Sequence, residues 1–169
     1  GHIPPVTTRV VAKDLEAVTV TVADPVGPVR TDTDRARGDT YIYNLTKSNR
    51  RFVVKNNVIR NNARFGLLLS SQDGAVLDNV FERCASSAVR VGNFPHEGLH
   101  AENILFRGNR FRECGTVGSF FENQLAVLQT TVYGPPRKEV PLRFHRNLRF
   151  VDNVIEGWAS AAVTLRGCT

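Results

Sequence analysis

The chain has 169 residues, enough for one domain with a sizeable core. A hydrophobic fraction of 41% with 22% charged residues argues against disorder, and no run approaches the roughly 18 apolar residues that a membrane span needs. Lys and Arg number 22 against 16 Asp and Glu, a net charge of +6, which suits a basic surface or an anionic partner such as an acidic polysaccharide.

No charged-then-apolar leader opens the sequence. The absence of Met leads us to expect a processed or partial chain. Residues 1–47 do not repeat. RVVAKDLEAVTVTV (9–22) alternates as strands do, DPVGPV (24–29) reads as a turn, and RARGDTYIYNLT (35–46) reads as a further strand. We expect a small β-rich subdomain here, barrel-like or capping, followed by a second domain over 48–169.

From residue 53 the sequence repeats itself. VVKNNVIRNNARFGLLL (53–69), AVLDNVFERCASSAVRV (75–91), ILFRGNRFRECG (104–115) and LRFVDNVIEGWASAAVTL (148–165) align on Asn57, Asn79, Asn109 and Asn153. Three residues before each Asn stand Val54, Val76, Phe106 and Phe150; two after stand Ile59, Phe81, Phe111 and Ile155. In the third segment the later apolar pair is displaced to LAVLQT (125–130). Period-two alternation within segments and polar residues between them predict short strands in stacked coils. The fold class expected is all-β, a right-handed parallel β-helix of about four coils. The aligned Asn side chains would form a ladder from coil to coil.

Two further columns fit that register. Asn62, Cys84, Cys114 and Trp158 follow the Asn by five residues, so Cys84 and Cys114 would be stacked neighbours, close enough for a disulfide or present as two free buried thiols. Arg60, Glu82, Arg112 and Glu156 follow by three and alternate in sign, predicting an exposed ion-pair ladder.

The connections locate the working edge. After the last strand of each coil come SSQD (70–73), GNFPHEGLHA (92–101) and TVYGPPRKEVPLRFHR (131–146). Long loops at one corner of a solenoid are where binding concentrates. Glu97 is the first candidate there, as general acid or base or as a ligand for a sugar hydroxyl, and Asp73 one coil below is its potential partner. His96, His100, Tyr133, Arg137, Lys138 and His145 are candidate substrate-binding residues on the same edge. The spacing His96-x3-His100 on a loop is not a metal signature, and no cofactor is expected.

NNVIRNNARFGLLLSSQDGAVLDNVFERCASSAVRV followed by HEGLHAENILFRGNRFRECG resembles the β-helix of bacterial exo-acting α-galactosidases of glycoside hydrolase family 110. NNARFGLLL is similar to that family's N-R-A-R-G-hydrophobic-L coil, and His96-Glu97-Gly98 to its Trp-x-Glu-x-Gly segment, with Phe94 where a Trp would stand and no adjacent Asp-Asp pair. The preceding RGDTYIYNLTKSNRRFVVKNN resembles the exit from a β-barrel inserted into that helix. The resemblance covers about residues 36–115 and implies a secreted or periplasmic, metal-independent, inverting hydrolase of terminal α-galactosides, with Glu97 the residue that carries over.

The expected function is therefore a carbohydrate-active protein, a glycoside hydrolase or part of one, with an oligo- or polysaccharide as partner. The alternatives are a non-catalytic β-helix module that binds glycan or protein, and a polysaccharide lyase using Arg137, Lys138 or Arg143 as base. Neither nucleic acid nor membrane is an expected partner, since no basic helix or aromatic-interleaved basic strand occurs. The segment Leu165–Thr169 follows directly on a strand, so further coils or another chain would cover that end.

Overall fold

The computed structural model describes residues 9–14, 16, 19–24, 48–92, 100–117, 126–131, 133–134, 138–139, 145–158 and 161–168. The chain divides into two compact units, Gly1–Thr40 and Tyr41–Thr169. In the first, β1 (Val10–Asp14) and β2 (Thr19–Val22) pair antiparallel with a shift in register between Val10 and Ala12. The expected strand within 35–46 lies outside the described residues.

The second unit holds four repeats. They contribute β3 (Val53–Lys55), β4 (Val58–Arg60) and β5 (Leu67–Leu69); then β6 (Gln72–Leu77), β7 (Val80–Glu82) and β8 (Val89–Val91). Next come β9 (Glu102–Arg107), β10 (Arg110–Arg112) and β11 (Ala126–Thr130), a short hairpin of β12 (Tyr133–Gly134) and β13 (Lys138–Glu139), and finally β14 (Arg146–Val151), β15 (Val154–Glu156) and β16 (Ala161–Thr164). Each repeat gives one strand to each of three parallel sheets: β3-β6-β9-β14, β4-β7-β10-β15 and β5-β8-β11-β16. Among the described residues there is no helix. This all-β stacking of parallel strands is consistent with the expected β-helix. LAVLQT does supply the third sheet's strand in the interrupted repeat, where Leu128 aligns with both Val89 and Val163.

The register follows from the corner between the first and second sheets. It is two residues long in every repeat: 56–57, 78–79, 108–109 and 152–153. Its first residue, Asn56, Asp78, Gly108 or Asp152, has φ between 52° and 65°. Asn, Asp and Gly are the residues that tolerate this left-handed conformation. At Gly108 a Cβ would come up against the Asp78 carboxylate, a flexible group that can move aside, so it is the positive φ that favours glycine there. The second residue is the aligned Asn. The Asn57 Nδ2 donates to Asn79 Oδ1 at 3.0 Å, Asn79 Nδ2 to Asn109 Oδ1 at 3.0 Å, and Asn109 Nδ2 to Asn153 Oδ1 at 2.9 Å. Each Oδ1 also accepts the backbone N–H of the preceding Asn, at 3.0 Å. The other Nδ2 hydrogen reaches back to a carbonyl of the repeat before: Asn79 to Val54, Asn109 to Val76, Asn153 to Phe106. Asn79 and Asn109 are buried, so these bonds replace those water would supply.

Inside the sheets the apolar columns stack in kind. Phe81 lies on Phe111 with ring centroids 5.1 Å apart, and Phe106 on Phe150 at 4.8 Å, both near parallel. Val76, Phe81, Ile104, Phe106, Phe111 and Val127 are fully buried, whereas Val54, Ile59, Phe150 and Ile155 of the outer repeats are only partly so. Cys84 and Cys114 are neighbours in the core and carry free thiols. The Cys84 N–H points at the Cys114 sulfur, 3.5 Å away. The Cys84 thiol is pushed up in pKa, first by its hydrogen bond to Cys114 and then by burial.

The charge column is realised in part. Arg112 pairs with Glu82 at 3.5 Å and with Glu156 at 3.1 Å. No ion pair joins Arg60 to Glu82 among the described residues, although their backbones are in register; Glu82 instead pairs with Arg112 and, at 3.9 Å, with its neighbour Arg83. The Arg112–Glu156 pair is half exposed on both sides, so it contributes only a few tenths of a kcal/mol.

Removing one rung of the amide ladder strands buried donors on both sides. Replacing Asn109 by Ala is expected to lower the unfolding free energy by about 2–3 kcal/mol, and the same change at exposed Asn57 by clearly less. Urea denaturation of the two variants measures the difference.

Candidate functional site at the variable corner

The corner that joins the third sheet to the next strand of the first sheet varies in length. It takes residues 70–71, then 92–101, then 131–145. The first connection is shorter than SSQD, because Gln72 and Asp73 already belong to β6, and Arg146 likewise opens β14. The insertions of the second and third repeats do fall on the same corner, as the spacing requires.

Gly92 marks where the second insertion leaves its strand. Its φ of 133° and the Thr131 carbonyl, which sits where a Cβ would be, leave room for glycine alone. His100 stands where that insertion returns, with its Nε2 3.0 Å from Glu102 Oε2. The Gln72 side chain donates to the His100 carbonyl at 3.3 Å. Glu97, His96 and Arg137 lie outside the described residues; Tyr133 and Lys138 lie in the β12–β13 hairpin, which the third insertion carries.

Asp73 stands in a second left-handed column, with Arg51, Asn103 and Asn147, all at φ between 47° and 55°. The column is tied by side chains. Asn147 Nδ2 donates to Asn103 Oδ1 at 2.9 Å, and Asn103 Nδ2 donates to Asp73 Oδ1 at 2.9 Å. The Arg50 guanidinium donates through Nε and NH2 to Asp73 Oδ2 at 3.1 and 2.8 Å. The hydrogen bond from Asn103, then that from Arg50, holds the Asp73 carboxyl below its ordinary value of 3.8. Asp73 is thus an ionised acceptor at neutral pH; it could polarise a hydroxyl or a water but could not donate a proton.

His145 is buried, with 1% of its surface exposed. Its Nδ1 accepts the Ala101 N–H at 3.1 Å and its Nε2 lies 3.0 Å from the Thr131 carbonyl. A carbonyl only accepts, so Nε2 carries the proton and the ring is neutral. The imidazole therefore stitches the end of the second insertion to both ends of the third. Burial is the main cause that lowers its pKa, and His100 adds to it.

A group that the sequence reading passed over lies on the third sheet. The alternation Val89-Arg90-Val91 predicts an outward, solvated Arg90, yet only 6% of it is exposed. Its guanidinium packs on the Phe65 ring, 5.0 Å from the centroid, and Arg64 sits 4.8 Å from the same ring. In the neighbouring strand Gln129 is buried and its Oε1 accepts from Ser87 Oγ at 3.1 Å. No period-two pattern distinguishes an outward residue that is covered from one that is not.

Among the described residues no cluster of three or more His, Cys, Asp or Glu side chains could hold a metal ion. Nor, among the described residues, is there a helix long and apolar enough to cross a membrane. Comparison of the chain returns no match to a family model, to a curated protein or to a solved structure.

The His145 geometry makes stability depend on pH. The unfolded chain takes up a proton on this imidazole near pH 6.5, the folded chain only at lower pH. The unfolded state binds more protons in that window, so stability is complete above pH 6.5 and falls as pH drops toward the lowered folded value. Urea midpoints measured from pH 7.5 to 5 should show this decline, and His145→Gln should flatten it; an unchanged slope in the variant would assign the decline to other groups.

Proposed function

We propose that the chain is a right-handed parallel β-helix that engages carbohydrate at the variable corner, as a glycoside hydrolase or part of one. The observation that carries this reading is the contrast between corners: one is two residues long in every repeat, the other grows from two to ten to fifteen residues. A frame that stays constant on one side and lengthens on the other concentrates binding on the lengthened side. Beside it runs a file of polar groups, Asp73, Asn103 and Asn147 in consecutive strands spaced about 4.8 Å apart, with Arg50 bound to Asp73 at its end. Such a file of donors and acceptors suits the closely spaced hydroxyls of a sugar.

In the catalytic form of this reading, Glu97 is the general acid, protonating the departing glycosidic oxygen. Asp73 is the ionised carboxylate that receives a proton from the attacking water, as inversion requires. Terminal galactosides are the proposed substrates, His96, His100, Tyr133, Arg137 and Lys138 the binding groups, and the secreted or periplasmic space the site of action. No step in this scheme calls on a metal or cofactor.

One observation favours the non-catalytic alternative, a glycan-binding module. The Asp73 carboxylate is already engaged by Arg50 and Asn103, which weakens it as a base. Hydrolysis of aryl and disaccharide α-galactosides by Glu97→Gln and Asp73→Asn, with calorimetric binding of the same sugars, separates the two. The hydrolase reading expects turnover to fall at least about 100-fold in Glu97→Gln with binding retained. Binding without turnover in the unmodified chain would leave the module; neither binding nor turnover would overturn the carbohydrate reading altogether.

A further inference from the structure

In the column five residues after each ladder Asn, the outer positions Asn62 and Trp158 are exposed, whereas the two inner ones, Cys84 and Cys114, are fully buried. Both buried positions are cysteine, and both thiols are free. The register brings them side by side, since each lies two residues beyond the paired Glu82 and Arg112. Strands in register stand about 4.8 Å apart, which falls within the Cα separation of about 4.4–6.8 Å that a disulfide spans. Backbone bonds hold the repeats at this distance on either side of the pair. Arg83 N–H donates to the Arg112 carbonyl at 2.9 Å just before Cys84, and Gly115 N–H donates to the Cys84 carbonyl at 3.0 Å just after Cys114. Between them the Cys84 N–H points at the Cys114 sulfur, 3.5 Å away, and the two thiols hydrogen-bond to each other. Neither thiol belongs to the amide ladder, the ion pairs or the proposed sugar-binding groups.

We propose that Cys84 and Cys114 are a redox pair, which a small-molecule disulfide such as glutathione disulfide converts into a covalent bond between the second and third repeats. Because both sulfurs are buried once the repeats dock, exchange takes place while the chain folds or when these repeats open locally. One cysteine, as its thiolate, attacks a sulfur of glutathione disulfide. A mixed disulfide forms, the glutathione S–S bond breaks, and the first glutathione leaves as a thiolate that takes up the proton. The close-packed core has no room for a glutathionyl group. The repeats therefore close on that position only as the second cysteine gives up its proton, attacks the first protein sulfur and expels the second glutathione. The two protein thiols lose two electrons and two protons, and one glutathione disulfide becomes two glutathione thiols. The bond joins residues 30 apart, and the loop it closes contains β8 and the second insertion, residues 92–101. It constrains the unfolded chain and ties the base of the variable corner to the frame. The inference stands on the strand register and on the burial of the pair, independently of the carbohydrate reading.

Refolding of the full 169-residue chain from urea, in buffers of graded reduced-to-oxidised glutathione ratio, tests it. Acid quenching, alkylation of free thiols and mass spectrometry of the intact chain and its peptides read the outcome. The expected result is the loss of two of the three alkylatable thiols, with Cys84 and Cys114 in one linked pair of peptides. The oxidised chain should show a higher urea midpoint than the reduced one, and dithiothreitol should open the bond far faster in urea than in the folded chain. Cys168→Ser changes the third, partly exposed cysteine and should oxidise as the unmodified chain does. Three free thiols even in fully oxidised glutathione, or a bond that includes Cys168, would overturn the proposal. So would a folded chain that retains glutathione on either buried cysteine, or an oxidised chain whose urea midpoint does not rise.

Discussion

The second unit depends on one corner, the two-residue turn that carries the asparagine ladder. The strands of the second sheet are only three residues long and make few backbone bonds each, so backbone pairing alone holds the register there weakly. The ladder removes that freedom. Each Asn fixes its neighbour through both its Oδ1 and its Nδ2, and the left-handed residue before it sets the bend. With the corner fixed, Phe81 must fall on Phe111 and Phe106 on Phe150, and Glu82, Arg112 and Glu156 must line up outside. The core and the surface columns are consequences of the same register.

A constant corner leaves the opposite one free to change. The connections out of the third sheet carry insertions without disturbing the strands on either side, because β8 and β11 still pair in register across them. What anchors the insertions is local and polar: Gly92 against the Thr131 carbonyl, and the neutral imidazole of His145 between Ala101 and Thr131. A buried group with both ring nitrogens used holds backbone at Ala101 and Thr131 and is not open to a ligand.

Much of this was legible in the sequence. The Asn column, the apolar residues three before and two after it, the adjacent cysteines and the displaced third-sheet strand were all readable, because period and residue type coincide there. The left-handed column just before the Asn was readable in principle, since Asn56, Asp78, Gly108 and Asp152 are the residue types such a turn selects. The second such column hid its pattern, because Arg51 belongs to it and arginine is not a turn residue. Asp73 read as the last residue of a connection on the working edge, but it lies in a strand, held by groups 23 and 30 residues away that no local pattern connects to it. His145 looked like one more loop imidazole for the same reason. Arg90 and Arg60 show the limit from the other side: alternation assigns a face, but neither burial nor an ion-pair partner.

Residue-resolved amide hydrogen exchange, with and without a terminal α-galactoside oligosaccharide, tests the division into a fixed and a working corner most directly. The account predicts that the Asn79 and Asn109 amides exchange only with global unfolding, whether or not the sugar is present. Amides around His100 and Glu102 should exchange faster in the free chain and slow when the sugar is added. Exchange of Asn79 and Asn109 by local opening, or slowing confined to the second sheet, would contradict it.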